Sequence, residues 1–381
     1  MRTPRPVQVA RLLTIAAVTL AVPFANPAYA RPEPAPPVAR PAATPVPGTV
    51  WAVTDGLARR FAGALLDRAV ADRVRSAVAA GPVDALVVPL DPATAGAVRA
   101  ANLRVLTAKG LPRDAGSLLR LRLAHPDMRP ALARGEVPLV AATPTDDTTT
   151  TITAYRGASG TVSLDAARVP ARPVLLVEVD TARALPLGLG LIRAELANRG
   201  IRDTASAVSR PGARATAAGG YWATKVTAVR LDDDHEPWLK GDAEIYSIVA
   251  GFGLDGKPRV DLVQMPYLDT DGTTYHPNQL LVHYNGYRYN LADVVMMEDD
   301  GDTNYQQLVQ AIVGALLTIV DGGVYTPLVN AILAAIPTSW YTDDPDYVDS
   351  WYTLATGSAG RVNGASGNGW LDLAPHFVQE L

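Results

Sequence analysis

The sequence predicts an α+β protein in which a mixed α/β N-terminal domain is followed by an acidic antiparallel β-sandwich with an inserted helical pair. Three observations support this. Apolar residues recur at helical spacing in the first part of the chain. Short β-rich runs separated by Gly, Asp and Pro turns dominate the second part, and the net charge changes sign between the two. A chain of 381 residues is long enough for two domains.

The first thirty residues have the three parts of a bacterial secretory signal. A positively charged start is followed by an uncharged apolar run of 11 residues, Leu12–Val22, and then by a small-x-small cleavage site at Ala28-Tyr29-Ala30. The apolar run is too short to span a bilayer. We therefore expect a signal peptide over residues 1–30 and secretion to the extracellular space or the cell envelope. The alternative is an N-terminal helix that stays in the membrane.

Composition divides the rest of the chain. A proline-rich spacer covers residues 31–48, the mixed α/β domain 49–200, an Ala/Ser/Arg/Gly-rich linker 201–220 and the sandwich 221–381. From residue 225 to the end there are 7 basic and 22 acidic residues, whereas the preceding part has 27 basic and 16 acidic. Charge asymmetry of this kind is typical of separate domains with different partners. The basic residues of the first part are interleaved with acids, so no nucleic-acid partner is expected.

Helices and strands mix in the first domain. Apolar rows spaced by four predict one long helix over residues 57–78, with Asp55 as a candidate N-cap. Asp91-Pro92 predicts the start of a second helix that ends at Gly110, and residues 117–123 are predicted as a third. Strands are predicted at 137–143, 151–155, 161–164 and 173–179, before a helix over 187–198.

The second domain is predicted to be mostly β. Its expected strands cover residues 222–231, 243–252, 259–265, 280–284, 293–297, 347–354 and 370–374. Two apolar helices, over 305–321 and 327–336, interrupt this series and are joined at Gly322-Gly323. They carry no cationic face, so we expect them to pack on the sandwich.

Acidic residues cluster after predicted strands in this domain. Crowded carboxylates repel one another unless a cation neutralises them, and calcium takes six to eight oxygen ligands. Three strand-end loops that meet at one end of a sandwich offer such a set, so the sequence predicts a calcium site. The candidate ligands are Asp232, Asp234, Glu236, Asp269, Asp271, Asp299, Asp300 and Asp302.

Other interpretations of these loops stay open. The Asp269–Gly272 turn lacks the glutamate that closes an EF-hand loop, so that motif is excluded. The acids fit solvated surface turns as well as a calcium site, and a catalytic metal is a third interpretation. A two-histidine site from His235 and His276 is a further alternative, although no His-Glu-x-x-His spacing is present.

Motifs identify no catalytic residue. The chain has no cysteine, no serine with glycines at both −2 and +2, and no phosphate-binding glycine loop, so no organic cofactor is expected. Ser159 and Ser366 lie in Gly-x-Ser-Gly turns. The carboxylate pair Asp242 and Glu244 fits a glycosidase, and equally the solvated face of a strand.

Several segments of the second half carry a resemblance to a known family. They are Asp234–Tyr246, Pro266–Asp269, Thr274–Gln279, Thr303–Tyr305 and Trp340–Asp344. Together they resemble a domain-of-unknown-function family of secreted bacterial proteins. The resemblance is strong over the second half and weak over the first, and it implies no activity and no site residues.

These observations lead to one functional prediction and two alternatives. The chain is predicted to be a secreted bacterial protein whose calcium-binding sandwich serves stability or adhesion to a cell-surface or extracellular partner. One alternative is a secreted hydrolase with its site in the acidic loops or between the domains. The other is an envelope protein that uses the helices over 308–336 as a membrane element.

Overall fold

The computed structural model describes residues 49–145, 149–203, 219–233, 241, 243–299, 301–336 and 346–379. All of these belong to one compact unit. The predicted signal peptide, the proline-rich spacer and most of the predicted linker at 201–220 lie outside the described residues. The division into two domains therefore stays a prediction. We call residues 49–203 the N-terminal half and residues 219–379 the C-terminal half.

A six-stranded mixed sheet forms the centre of the N-terminal half. Its strands are β1 (Val83–Asp84), β2 (Leu119–Leu123), β3 (Leu139–Ala142), β4 (Thr151–Arg156), β5 (Gly160–Asp165) and β6 (Val174–Val179). Their order across the sheet is β1-β2-β6-β3-β4-β5. Only β3 and β6 run parallel to each other, and every other neighbouring pair is antiparallel.

Five helices accompany this sheet: α1 (Val50–Ala64), α2 (Arg68–Ala79), α3 (Pro92–Ala108), α4 (Arg129–Ala133) and α5 (Thr181–Asn198). The single helix predicted over 57–78 is divided at residues 65–67, because Asp67 accepts hydrogen bonds from the first amides of α2 and begins a new helix. Thr49 rather than Asp55 caps α1. Asp91 caps α3 as predicted.

The predicted helix over residues 117–123 is wrong, since Leu119–Leu123 is strand β2. Its sequence alternates Leu and Arg, a period of two, so that Leu119 and Leu121 are buried while Arg120 and Arg122 lie on the opposite face. β2 pairs with β6 over its whole length. The helical interpretation failed because so short a run is compatible with the helical period of 3.6 residues as well as with the strand period of two.

Two four-stranded antiparallel sheets form the C-terminal half. One contains β7 (Gly220–Leu231), β10 (Gln279–His283), β13 (Gly360–Asn363) and β14 (Gly369–Gln379), in the order β10-β7-β14-β13. The other contains β8 (Ile245–Phe252), β9 (Pro258–Gln264), β11 (Leu291–Glu298) and β12 (Tyr347–Ala355), in the order β12-β11-β8-β9. Buried residues of both sheets form one apolar cluster, as in a sandwich.

The inserted helical pair, α6 (Tyr305–Leu316) and α7 (Val329–Ala335), covers the outer face of the second sheet. Strand β8 shows this arrangement. Ile245 and Val249 belong to the sandwich core, whereas Ile248 and Phe252 belong to a larger cluster that includes the helical pair and helices of the N-terminal half. A strand that is buried on both faces, such as β8, has a continuous apolar sequence. The two halves therefore share one core across α6 and α7.

The predicted α+β class is confirmed, including the antiparallel sandwich and the inserted helical pair. The apolar side chains of α6, among them Leu308, Ile312 and Leu316, are fully buried. Among the helices of the described residues, none has the length and apolar character needed to cross a membrane.

Candidate functional site: a cleft at the junction of the two halves

A small cleft, with a cavity volume of about 30 Å³, lies where the N-terminal half meets the C-terminal half. We call it the junction cleft. Both halves contribute to it: helix α1, strands β2 and β6, the loop after β3 and the start of α5 come from the first, and two loops come from the second. Its walls are Val50, Thr54, Arg120, Thr143, Pro144, Thr145, Glu178, Val179, Thr181, Glu244 and Gly301.

Glu178 is the charged residue of an otherwise apolar strand, β6. It is 4% exposed, and its carboxylate accepts hydrogen bonds from Arg120 Nε at 2.6 Å and Arg122 Nε at 2.8 Å through the same oxygen. Thr143 Oγ1 donates to its second oxygen at 2.8 Å. The register explains this arrangement, because Arg120 lies opposite Glu178 in the β2–β6 pairing. Two guanidinium groups thus hold one buried carboxylate at the cleft wall.

Glu244 faces the same cleft from the loop before β8. The pKa of its carboxyl is raised to about 8, mainly by burial. The neighbouring charges of Asp299 and Glu178 also raise it, while a hydrogen bond with Thr181 and the charge of Arg120 lower it. The backbone amide of Asp299 donates to the Glu244 carbonyl at 3.2 Å, which ties this loop to the end of β11. At neutral pH Glu244 is therefore mainly protonated.

The two glutamates consequently differ in chemistry although they line one cleft. Glu178 touches two guanidinium groups, whereas Glu244 lies among carboxylates and keeps its proton. A carboxyl group with a strongly shifted pKa in a cleft is typical of acid–base sites. Threonines at 54, 143, 145 and 181 are the hydroxyl-bearing residues of the cleft wall.

Lys109 and Asp299 form an ion pair directly behind this cleft. Both side chains have no solvent-exposed surface, and Lys109 Nζ lies 3.2 Å from Asp299 Oδ1. The hydroxyl of Tyr305 donates to Asp299 Oδ2, and Lys109 Nζ lies 4.8 Å from the centroid of the Tyr305 ring. Glycine is required at position 188, since a Cβ there would overlap the Tyr305 ring.

The end of α3 and the start of α6 meet at this ion pair. The backbone amide of Tyr305 donates to the Lys109 carbonyl at 3.1 Å, and Asn304 Nδ2 donates to the Ala108 carbonyl at 2.7 Å. Asn304 Oδ1 also accepts from the Gln307 amide and so caps α6. Free carbonyls at one helix end and free amides at the other satisfy each other here. This contact fixes Lys109 against Asp299.

The described acidic loops predicted to bind calcium lie near one end of the sandwich. Asn368 Nδ2 donates to the Asp233 carbonyl and to the Val348 carbonyl, so the end of β7 lies beside the start of β12. The Gly272 amide donates to the Leu231 carbonyl, which places the 269–272 turn there as well. Residue 298, at the end of β11, pairs with Ile245 at the start of β8, in the sheet that also contains β12.

Three of the predicted ligands have separate protein partners. Asp232 pairs with Arg230 at 3.0 Å, Asp269 accepts from the Tyr275 hydroxyl at 2.6 Å, and Asp299 pairs with Lys109. Asp271 and Asp302 also make interactions within the protein. Within the part of the chain that the structure describes, no group of three or more His, Asp and Glu residues is arranged to hold a metal ion.

The remaining predicted ligands, Asp234, Glu236 and Asp300, lie outside the described residues, as do His235 and Asp242. The calcium site therefore stays a prediction. His276 is exposed, and its Nδ1 lies 3.3 Å from the Thr227 carbonyl oxygen. Ser366 Oγ donates to the Val348 carbonyl at 3.2 Å, as expected for a turn residue.

Sequence reasoning identified Glu244 and Asp299 but missed Arg120, Glu178 and Lys109. Each of the three carried a signal. Glu178 is the single charge in Val174–Val179, Arg120 alternates with buried leucines in β2, and Lys109 ends a helix immediately before Gly110. A charge inside an apolar segment needs a buried partner.

Comparison with known proteins places the chain in one family. The family described as "Protein of unknown function (DUF3103)" matches residues 53–381, so the chain belongs to it. The match confirms the predicted resemblance and extends it across the N-terminal half. No curated protein matches the chain, and no solved structure does.

Proposed function

We propose that this DUF3103 protein is an exported hydrolase whose acid–base site is the junction cleft. The observation that carries the proposal is the pair of cleft-wall glutamates, in which Glu244 has a pKa of about 8 and Glu178 is held by two arginines. Polar groups that converge on a cleft between two parts of a chain are a common form of small-molecule site.

The two carboxyl groups can divide the chemistry of hydrolysis. The protonated Glu244 donates its proton to the leaving oxygen as the C–O bond breaks. A water molecule forms the new bond to the same carbon and gives up a proton that restores Glu244, while the carboxylate of Glu178 supplies negative charge on the same wall. Glycosides are one substrate class that a carboxylic acid and a carboxylate can hydrolyse together. The Arg120 guanidinium also lines the cleft and can bind an anionic substituent of the sugar.

Export is the part of the proposal that rests on residues 1–30. Their charged start, short apolar run and small-x-small site support secretion to the extracellular space or the cell envelope. N-terminal sequencing of protein recovered from the culture medium or the envelope of a bacterial host checks it. Processing after Ala30 is the expected result, and an intact N-terminus retained in the cytoplasm would contradict it.

Hydrolysis is tested with a panel of neutral and uronic-acid 4-nitrophenyl glycosides and the variant Glu244→Gln. We expect the variant to lose about 10²–10⁴-fold in kcat, since it keeps the shape of the side chain but cannot donate a proton. Wild-type activity should also fall as the pH rises through about 8, where Glu244 loses its proton. The matched control is Glu195→Gln on α5, whose partner is Arg199 on the same helix.

Two results would contradict the proposal. One is the absence of turnover on every member of the panel by folded wild-type protein. The other is a Glu244→Gln variant as active as the Glu195→Gln control.

A second function, calcium binding by the sandwich, is supported by the placement of the described acidic loops near one end of it. The bound ion would serve stability or adhesion to an extracellular partner. The test is thermal unfolding in EDTA and then in millimolar calcium. At a hundredfold excess over Kd, binding should stabilise the fold by about 2.7 kcal/mol.

The double variant Asp269→Asn, Asp271→Asn should abolish that shift, whereas Asp255→Asn, in the turn between β8 and β9, should preserve it. Magnesium serves as the comparison ion. An unfolding temperature that calcium leaves unchanged in the wild type would count against a calcium site.

A further inference from the structure

The Lys109–Asp299 pair joins two charged side chains without any solvent exposure. The residues are 190 positions apart in the sequence, and Nζ lies 3.2 Å from Oδ1. Removing two opposite charges from water costs several kcal/mol for each ion, and their mutual attraction offsets this only in part. Condensation of the two groups to an amide would remove both charges from the interior.

Contacts around Asp299 suit an attack on its carboxyl carbon. The Tyr305 hydroxyl donates to Oδ2, and the Gly301 amide donates to Oδ1 at 3.4 Å. Burial, followed by the charge of Asp299, raises the pKa of Tyr305, so its hydroxyl keeps its proton. Donors aimed at both oxygens are what stabilises a tetrahedral intermediate at a carbonyl.

The amine is already placed for that attack. Nζ lies 3.2 Å from Oδ1, the oxygen bonded to the Cγ atom that it would attack, and the junction of α3 with α6 holds Lys109 against Asp299. The Tyr305 ring lies beneath Nζ and limits its freedom further.

We propose that Lys109 and Asp299 condense to an intramolecular isopeptide bond that joins the two halves covalently. A bond forms between Lys109 Nζ and Asp299 Cγ, and the bond from Cγ to one carboxyl oxygen breaks. The ammonium gives up two protons, the departing oxygen takes up two protons, and one molecule of water leaves. No group is oxidised or reduced, and no co-reactant is needed.

The deciding experiment is the mass of the intact, denatured full-length protein after signal removal. We expect the wild type to be one water lighter than its sequence, and a protease digest to contain one branched peptide linking the segments around Lys109 and Asp299. Lys109→Met and Asp299→Ala should each have the mass of their own sequence. Lys257→Met, at an exposed lysine, should keep the deficit.

The mass is read on unfolded chains, so a variant that folds poorly still gives a result. Tyr305→Phe keeps the ring packed against Gly188. It should accumulate the unlinked form while native near-ultraviolet circular dichroism is retained. A wild type at the full mass of its sequence, with Lys109 and Asp299 in separate peptides, would overturn the proposal whatever the hydrolase assay shows.

Discussion

Carboxylates occupy two very different settings in this protein. At the junction of the halves, Glu178 and Asp299 are buried and are held by cations and hydroxyl groups. On the loops of the sandwich, Asp232 pairs with Arg230 while both side chains are roughly half exposed, at 60% and 42%. Water screens the second kind of pair and not the first, so the same residue types differ in energetic consequence.

The number of acidic residues close together in the sequence does not indicate how strongly each of them affects the stability of the fold. The densest acidic runs follow β7 and β11, and the described members of the first run are exposed. The junction takes Asp299 from the second run and combines it with charges that stand alone in apolar segments, such as Glu178 on β6. An isolated charge within an apolar segment is therefore the more informative signal, since only a buried partner makes it tolerable.

The variants Lys109→Met and Arg230→Met should show the largest difference in unfolding free energy between the two settings. Lys109→Met leaves Asp299 buried without its cation and should lower the free energy of unfolding by about 3–5 kcal/mol. If the isopeptide bond is present, its loss adds roughly 5 kcal/mol, because a cross-link closing a loop of 190 residues no longer constrains the unfolded chain.

Arg230→Met should cost at most about 1 kcal/mol, because its ion pair with Asp232 is exposed to solvent. Urea unfolding followed by circular dichroism measures both variants. Equal losses would show that the buried and exposed pairs do not differ and would break the comparison.

A smaller effect is expected from Glu244→Gln, and it depends on pH. The pKa of Glu244 is about 8 in the folded protein, above its value of about 4.3 in an unfolded chain. The folded wild type therefore binds more protons between these values, and its stability falls as the pH rises through this window. The Glu244→Gln variant has no titrating group at this position, so its stability does not fall in this way.

The gap in unfolding free energy should consequently move by about 4 kcal/mol in favour of Glu244→Gln between pH 4.5 and pH 8. Unfolding curves at four or five pH values would trace it. Glu195→Gln on α5 is the control and should run parallel to the wild type. A flat difference for Glu244→Gln would mean that its carboxyl is ionised throughout.

The smallest effect compares two tyrosine hydroxyls that donate to aspartates. Tyr275→Phe removes the bond to Asp269 on a surface loop and should cost about 1 kcal/mol or less. Tyr305→Phe removes a fully buried donor to Asp299 and should cost about 1.5–3 kcal/mol, the range for hydrogen bonds to charged groups. Reversal of this order in guanidinium unfolding would contradict the assignment of the two settings.

Much of the fold could be predicted from the sequence, because periodicity and turn residues are local. Asp91-Pro92 and Gly110 do bound α3, and the strands of the sandwich lie close to their expected positions. The errors occur where local signals compete. Residues 117–123 carry both helical and strand periods, and pairing with β6 decides for the strand.

The junction cleft could be predicted only in part. Glu244 was identified as one of a carboxylate pair with Asp242, and Asp299 by its place in an acidic loop, but nothing local indicates that α3 and β6 face these residues. Lys109 meets Asp299 across 190 residues through the contact of two helix ends. Contacts between residues so far apart in the sequence depend on how the two halves pack. The sequence of one half alone does not show this packing.

The pairing of β7 has a consequence for the order in which the chain folds. Both neighbours of β7 follow it in the sequence, and Thr227 bonds to the Asp372 carbonyl 145 residues later. A nascent chain can complete the six-stranded sheet, whose strands all lie before residue 180, while β7 still has an unpaired edge. Such an edge is slow to pair and prone to aggregation until β14 has been synthesised. The N-terminal half is thus expected to fold first and to act as the surface on which the sandwich assembles.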